Sequence, residues 1–186
     1  MRKMYCAALA LCALAACGEA PQSAHDEYAQ HEGLPVRDGE FNFNAHRFVR
    51  LFNDAARSCG VPYRIADAEP QRGALYDSFR QSFPGDVSMR ADLAKDSGRV
   101  TRITVLASGE HGAPDRDTLF EIAEVIVLAT DAGMTRKKAG AVVADMLEEA
   151  RSMPDAERLP QRYFEQARYV LRNDDDIDYW WTATPN

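Results

Sequence analysis

The sequence has few histidines and cysteines, two side chains on which much hydrolytic catalysis relies. Its 186 residues include four histidines and four cysteines. Cys6, Cys12 and Cys17 lie within the first 17 residues, and Cys59 is the single cysteine after them, so we expect no disulfide inside the domain. The sequence also lacks HExxH, nucleophile-elbow and phosphate-binding glycine-loop motifs. These absences argue against an enzyme of a recognisable class, and we expect no cofactor and no metal.

A long apolar run is also missing from the start of the chain. Residues 5–16 are apolar, but this run is shorter than the about 20 residues that a transmembrane helix needs. Arg2 and Lys3 precede it, and Gly18, Glu19 and Pro21 end it. A basic start followed by a short apolar run is typical of a cleaved signal peptide, which we predict over residues 1–16.

The end of this apolar run carries the sharpest motif in the sequence. Leu14, Ala15, Ala16 and Cys17 resemble the lipobox of bacterial lipoproteins, and the resemblance covers only this first segment. It implies cleavage between Ala16 and Cys17, with a diacylglycerol thioether and an acylated amino group (of the palmitate kind) on Cys17. Several acyl chains anchor a protein stably where one binds only marginally. Gly18, where aspartate would imply inner-membrane retention, implies the outer membrane, facing the periplasm.

Charge constrains the partners of the exported chain. Removal of residues 1–16 takes away Arg2 and Lys3 and no acid, which changes the net charge from −7 to −9. An acidic protein disfavours nucleic acid, and it favours a basic periplasmic protein as partner. Residues 17–40 are polar and poor in large apolar groups, so we expect them to form a flexible tether between the lipid and a single domain at residues 41–186.

Hydrophobic periodicity predicts three helices in that domain. The first spans about residues 44–59, with Asn42 or Asn44 as its N-cap and Gly60 at its end. The second follows a capping box formed by Thr118 and Glu121, is apolar on nearly every face, and ends at Gly133. The third shows one apolar stripe between residues 139 and 150.

Alternating patterns predict strands on both sides of the helical pair. Two strands near residues 87–93 and 100–107 flank a turn at 96–98, and a C-terminal hairpin joins residues 163–171 to 177–184. Residues 75–83 suit either a helix or a strand, and the glycines and proline that bracket them favour a strand. The order of elements predicts an α+β fold, with about three helices packed on one face of an antiparallel sheet.

The C-terminal hairpin holds the candidate partner-binding residues. Adjacent residues of a strand point to opposite faces, so two neighbouring tryptophans cannot enter the same core. Acids beside an exposed tryptophan are typical of a protein-binding hot spot. The alternatives are an ordinary turn, a weak calcium site, and two tryptophans packed on both sides of a small sheet. The candidate residues are Asp174, Asp175, Asp176, Asp178, Tyr179, Trp180 and Trp181.

Two classes of function are consistent with these patterns. The first is a membrane-tethered protein-binding module, in its concrete form an immunity-type inhibitor that protects the cell against a secreted toxin attacking the envelope. The second is an envelope hydrolase with His46 or His111 as base, for which the sequence offers no paired nucleophile. A structural lipoprotein of envelope assembly is a further alternative.

Overall fold

The computed structural model describes residues 36–109, 115–152, 159–174 and 178–186. Within these ranges it contains three helices and a six-stranded antiparallel sheet, which confirms the predicted α+β fold with a C-terminal hairpin. The helices are α1 (Ala45–Cys59), α2 (Arg116–Thr130) and α3 (Arg136–Ser152). The strands are β1 (Asp77–Phe83), β2 (Val87–Leu93), β3 (Val100–Ala107), β4 (Gln161–Tyr163), β5 (Ala167–Asp174) and β6 (Asp178–Pro185).

The sheet has the strand order β1-β2-β3-β6-β5-β4. The two ends of the domain meet where β6 pairs with β3, so the C-terminal hairpin extends the sheet begun by β1 to β3. Within residues 75–83, for which a strand was favoured over a helix, Asp77–Phe83 form the strand β1. The prediction of a single strand over residues 163–171 was wrong, because the chain turns after β4, where the Phe164 N–H donates to the Ala167 carbonyl, and pairs back as β5.

Local capping sets the ends of α1 as the sequence predicts. The Asn44 side chain accepts a hydrogen bond from the backbone N–H of Arg47 at 2.9 Å, which satisfies one of the free donors of the first turn. Gly60 follows the last turn at φ 71°, a left-handed conformation that costs glycine little. Its N–H donates to carbonyls of the last turn.

The predicted ends of α2 need correction. Asp115, not Thr118, is the N-cap, because its carboxylate accepts from both the backbone N–H and the hydroxyl of Thr118. Thr118 is therefore the third residue of the helix rather than its cap. The helix ends at Thr130, with Asp131 as its C-cap, before the predicted stop at Gly133.

The core lies between the sheet and the helices. The Phe48 ring of α1 lies 6.2 Å from the Phe79 ring of β1, and Phe52 lies 6.1 Å from Phe83. Helix α2 is buried on most of its surface because α1 and α3 pack on either side of it. Full burial of a large apolar side chain contributes about 1.5–3 kcal/mol. No described element covers the opposite face of the sheet, which we call the open face.

Candidate functional site

Strand register sets which side chains meet on the open face. Along one row across the sheet, Ser82 pairs with Ser88, and Ser88 with Leu106. The same row continues from Leu106 to Trp180 and from Trp180 to Arg172. Because a strand alternates its faces, all five side chains lie on the side away from the helices. An aromatic ring and an arginine therefore meet in the middle of the open face.

The next row places two arginines opposite each other. Arg80 of β1 pairs directly with Arg90 of β2, and Arg90 pairs with Thr104 of β3. Directly opposed residues of an antiparallel pair have Cβ atoms about 4.5–5.5 Å apart, and like charges in that position destabilise the pair. No described carboxylate lies within ion-pair distance of Arg80. This part of the face is positively charged at a cost to the fold.

A buried carboxylate holds two arginines beside this pair. Arg90 Nε donates to Asp92 Oδ1 at 2.6 Å. Arg102 donates to Asp92 Oδ2 through Nε at 2.9 Å and Nη2 at 2.6 Å. The Asp92 side chain is 4% exposed, whereas the side chains of Arg90 and Arg102 are 43% and 52% exposed. One acid thus fixes two guanidinium groups whose other edges face outward.

These side chains line a groove of about 570 Å³ on the open face. Arg80, Arg90 and Arg102 form its charged side, and Leu106 and Trp180 form its apolar side. We call it the arginine groove. Its volume is within the range of ordinary ligand-binding clefts.

Positive charge continues toward the far edge of the sheet. Arg168 of β5 pairs with Thr184 of β6 and with Tyr163 of β4, whose ring is 60% exposed. Arg168 and Arg172 are both exposed, and they belong to the same face as Trp180. The open face therefore carries five arginines, whereas Asp92 is the only acid among its described side chains.

The three aromatic residues of the predicted site separate as alternation requires. Tyr179 and Trp181 are buried beneath the sheet, at 2% and 1% exposure, while Trp180 is 38% exposed on the open face. The Trp181 ring stacks on Tyr169 at 5.2 Å, and the Arg116 guanidinium lies 5.1 Å from the Tyr179 ring centre. Burial removes Tyr179 and Trp181 from direct contact with a partner and leaves Trp180.

The predicted acidic cluster and lipid site lie mainly beyond what the structure describes. Asp174 ends β5 and Asp178 begins β6, and their backbones pair with each other. The calcium and acidic-patch hypotheses therefore stay predictions. Outside the described residues lie Asp175, Asp176, Ala16 and Cys17.

Of the thiol and imidazole groups considered for catalysis, the structure describes Cys59 and His46, which lie at opposite ends of α1. Cys59 is buried at the end of α1, and burial first, then the nearby Glu124 carboxylate, raises the pKa of its thiol. A nucleophilic thiol needs the opposite shift. His46 is half-buried on the first turn of α1, and His111 lies outside the described residues.

The described ranges offer little to a metal or to a bilayer. No group of three or more histidines, cysteines, aspartates or glutamates in them could hold a metal ion. None of their helices combines the length and apolarity required to traverse a bilayer.

Sequence reasoning missed the arginines of the open face. Arg90 lies between the core residues Met89 and Ala91, and Arg80 and Arg102 each follow or precede one core residue, so part of this alternation was visible in the sequence. The net negative charge of the chain favoured the acidic residues of the C-terminal hairpin as the candidate site instead. A charge count made separately for each strand face would have found them.

No protein-family model, no curated protein and no solved structure matches this chain.

Proposed function

We propose that this chain is a lipid-anchored, periplasm-facing protein-binding module that contacts its partner through the open face of the sheet. The observation that carries the proposal is Trp180, which is 38% exposed in the middle of a sheet face that no described element covers. Arg172 lies beside it on β5, and the arginine groove opens on its other side. Tryptophan, tyrosine and arginine are the residues most enriched in binding hot spots. Tyr163 and Arg172 extend the same composition along the face.

The chemistry of the groove favours binding over catalysis. Its described lining offers guanidinium, hydroxyl and indole groups and one carboxylate, Asp92. Asp92 is already engaged by Arg90 and Arg102, so it is a poor candidate for a general base. Arginine stays protonated at all working pH values and cannot accept a proton from a substrate.

The concrete form of the proposal is an immunity-type inhibitor that guards the envelope against a secreted toxin. A lipid on Cys17 would hold the inhibitor at the membrane where such a toxin acts. The anchor is tested by Cys17→Ser. We expect this variant to lose the mass of the acyl groups and to move from the membrane to the soluble fraction. Unchanged mass and unchanged fractionation would exclude lipid anchoring.

The binding proposal is tested by capture of a partner from envelope extract with the full chain in neutral detergent. Trp180→Ser should abolish capture of any partner that wild type retains. Its loss of stability should stay well below that of a core aromatic residue, because Trp180 lies on the face away from the described helices and is 38% exposed. Leu75→Ser is the matched control, since Leu75 is an apolar residue, 80% exposed, outside the open face. Equal capture by both variants would refute binding through this face.

A photoreactive amino acid locates the contact directly. We expect a cross-link to the partner when it replaces Tyr163 or Trp180 on the open face. We expect no cross-link when it replaces Leu75. The opposite pattern would place the interface elsewhere on the domain and would exclude the open face.

A further inference from the structure

We infer that the arginine groove binds an acidic segment of the partner protein, with carboxylate side chains at the arginines and an apolar side chain beside Trp180. This inference rests on the proposed function and specifies the partner surface. The net acidity of the chain predicts a basic partner, whereas the arginine groove is lined by three arginines and one acid. Salt screens the interaction between exposed charges that lie more than about 8 Å apart. The charges within the groove therefore determine which partner surface binds there, and the net charge of the whole chain matters less.

The first argument is the direct opposition of Arg80 and Arg90. Such a pair is unfavourable in the free protein, and a carboxylate placed between the two guanidinium groups would convert repulsion into attraction. Arg80 makes no hydrogen bond to the described residues, so all its side-chain donors remain available. Binding of an anion between Arg80 and Arg90 would therefore remove the repulsion between them that destabilises the free protein.

The second argument is the way Asp92 uses its two partners. Arg90 donates only through Nε, and Arg102 donates through Nε and Nη2. Both Nη atoms of Arg90 and Nη1 of Arg102 have no acceptor in the described part of the chain. Asp92 thus orients the guanidinium groups of Arg90 and Arg102. Their remaining N–H donors are available for bidentate hydrogen bonds to a carboxylate of the partner.

The third argument concerns the size of the anion. A nucleic acid duplex or an anionic bilayer extends well past the open face and would meet the acidic remainder of the domain. A short peptide segment lies within the groove and experiences only the local positive field. The apolar wall formed by Leu106 and Trp180 also suits a peptide side chain better than a phosphate backbone.

The test measures binding of fluorescein-labelled hexaglutamate to the full chain in neutral detergent by anisotropy. We expect binding that weakens as NaCl is raised. We expect Arg80→Gln/Arg90→Gln to weaken it by roughly tenfold or more, since two charge-assisted contacts are lost. Arg50→Gln/Lys137→Gln is the control, because it removes the same charge from exposed helix positions and should change binding less than about twofold.

Three outcomes would overturn the inference. One is no binding of hexaglutamate, and a second is equal weakening by the groove and control variants. The third is preferential binding of oligo-dT or of phosphatidylglycerol vesicles over hexaglutamate, which would identify a nucleic acid or a membrane as the occupant.

Failure of this inference is distinguishable from failure of the proposed function. Partner capture that depends on Trp180 but not on Arg80 and Arg90 would leave the binding module standing and remove the acidic segment. If the double arginine variant unfolds, Arg80→Gln alone decides the question, because it replaces an exposed side chain that makes no hydrogen bond to the described residues. It should still weaken hexaglutamate binding by about threefold, whereas unchanged binding would remove Arg80 from the site.

Discussion

Replacement of Asp92 by asparagine tests the electrostatics of the open face. The carboxylate is 4% exposed and accepts three hydrogen bonds from Arg90 and Arg102. Asparagine keeps the shape and one acceptor oxygen but removes the charge. The variant leaves Arg80, Arg90 and Arg102 near one another with no acid among the described side chains of the groove.

The size of the effect follows from these contacts. A hydrogen bond to a charged group contributes about 1.5–3 kcal/mol. Both arginines are about half exposed, so water and ions replace part of what is lost. Asparagine also costs less to bury than a carboxylate. We therefore expect Asp92→Asn to lower the free energy of unfolding by about 2 kcal/mol, or the Tm by about 4–8 °C.

Urea denaturation followed by circular dichroism measures this loss without adding ions. Asp67→Asn is the matched control, because Asp67 is exposed and makes no hydrogen bond or ion pair with the described residues. Its stability should stay within about 0.5 kcal/mol of wild type. NaCl at about 0.5 M should recover part of the loss in Asp92→Asn, because salt screens the repulsion among the arginines. A loss no larger than that of the control, or one insensitive to salt, would refute the reasoning.

Four further variants test the packing of the two sides of the sheet. Phe48→Ala should lower the free energy of unfolding by about 3–5 kcal/mol, measured by urea denaturation, because its fully buried ring packs on three others. Trp181→Ala should cost about 3–5 kcal/mol, and Trp180→Ala should cost clearly less because its side chain is 38% exposed; similar losses would contradict the assignment of the two faces. Burial raises the pKa of the Tyr169 hydroxyl, which shares a 2.8 Å hydrogen bond with Thr130. As the pH rises, this tyrosine therefore ionises in the unfolded chain before it ionises in the folded one. The free energy of unfolding should consequently fall as the pH rises above about 10. Tyr169→Phe should lose about 1 kcal/mol at pH 7 and flatten that alkaline fall, and an unchanged pH profile would show that Tyr169 does not titrate as described.

The sequence alone determined the local elements of this protein. Helix α1 is readable because its apolar residues recur at helical spacing between a capping asparagine, Asn44, and a left-handed glycine, Gly60. The alternation of Trp180 and Trp181 across the sheet is equally local, because neighbouring strand residues always face opposite ways. These features depend on a few consecutive residues, so no knowledge of distant partners was needed.

The start of α2 and the boundary between β4 and β5 were predicted wrongly, because in each case the same residues fit two different local structures. Threonine is a common N-cap residue, so the sequence predicts Thr118 as the cap of α2. The cap is Asp115, three residues earlier, whose carboxylate accepts a hydrogen bond from the Thr118 N–H. The segment that became β4 and β5 reads as one apolar stretch around Phe164, and only pairing with β6 shows where it turns. A short strand at the edge of a sheet is decided by its neighbour rather than by its own residues.

Tertiary structure decided the candidate site. Arg80 and Arg90 belong to β1 and β2, but Trp180 belongs to β6, and they share one groove only because β6 pairs with β3. That pairing joins segments far apart in the chain, and its register is fixed by burial of the opposite face against the helices. Net charge gave no hint of a positive face, because a sum over the whole chain does not record where each charge lies.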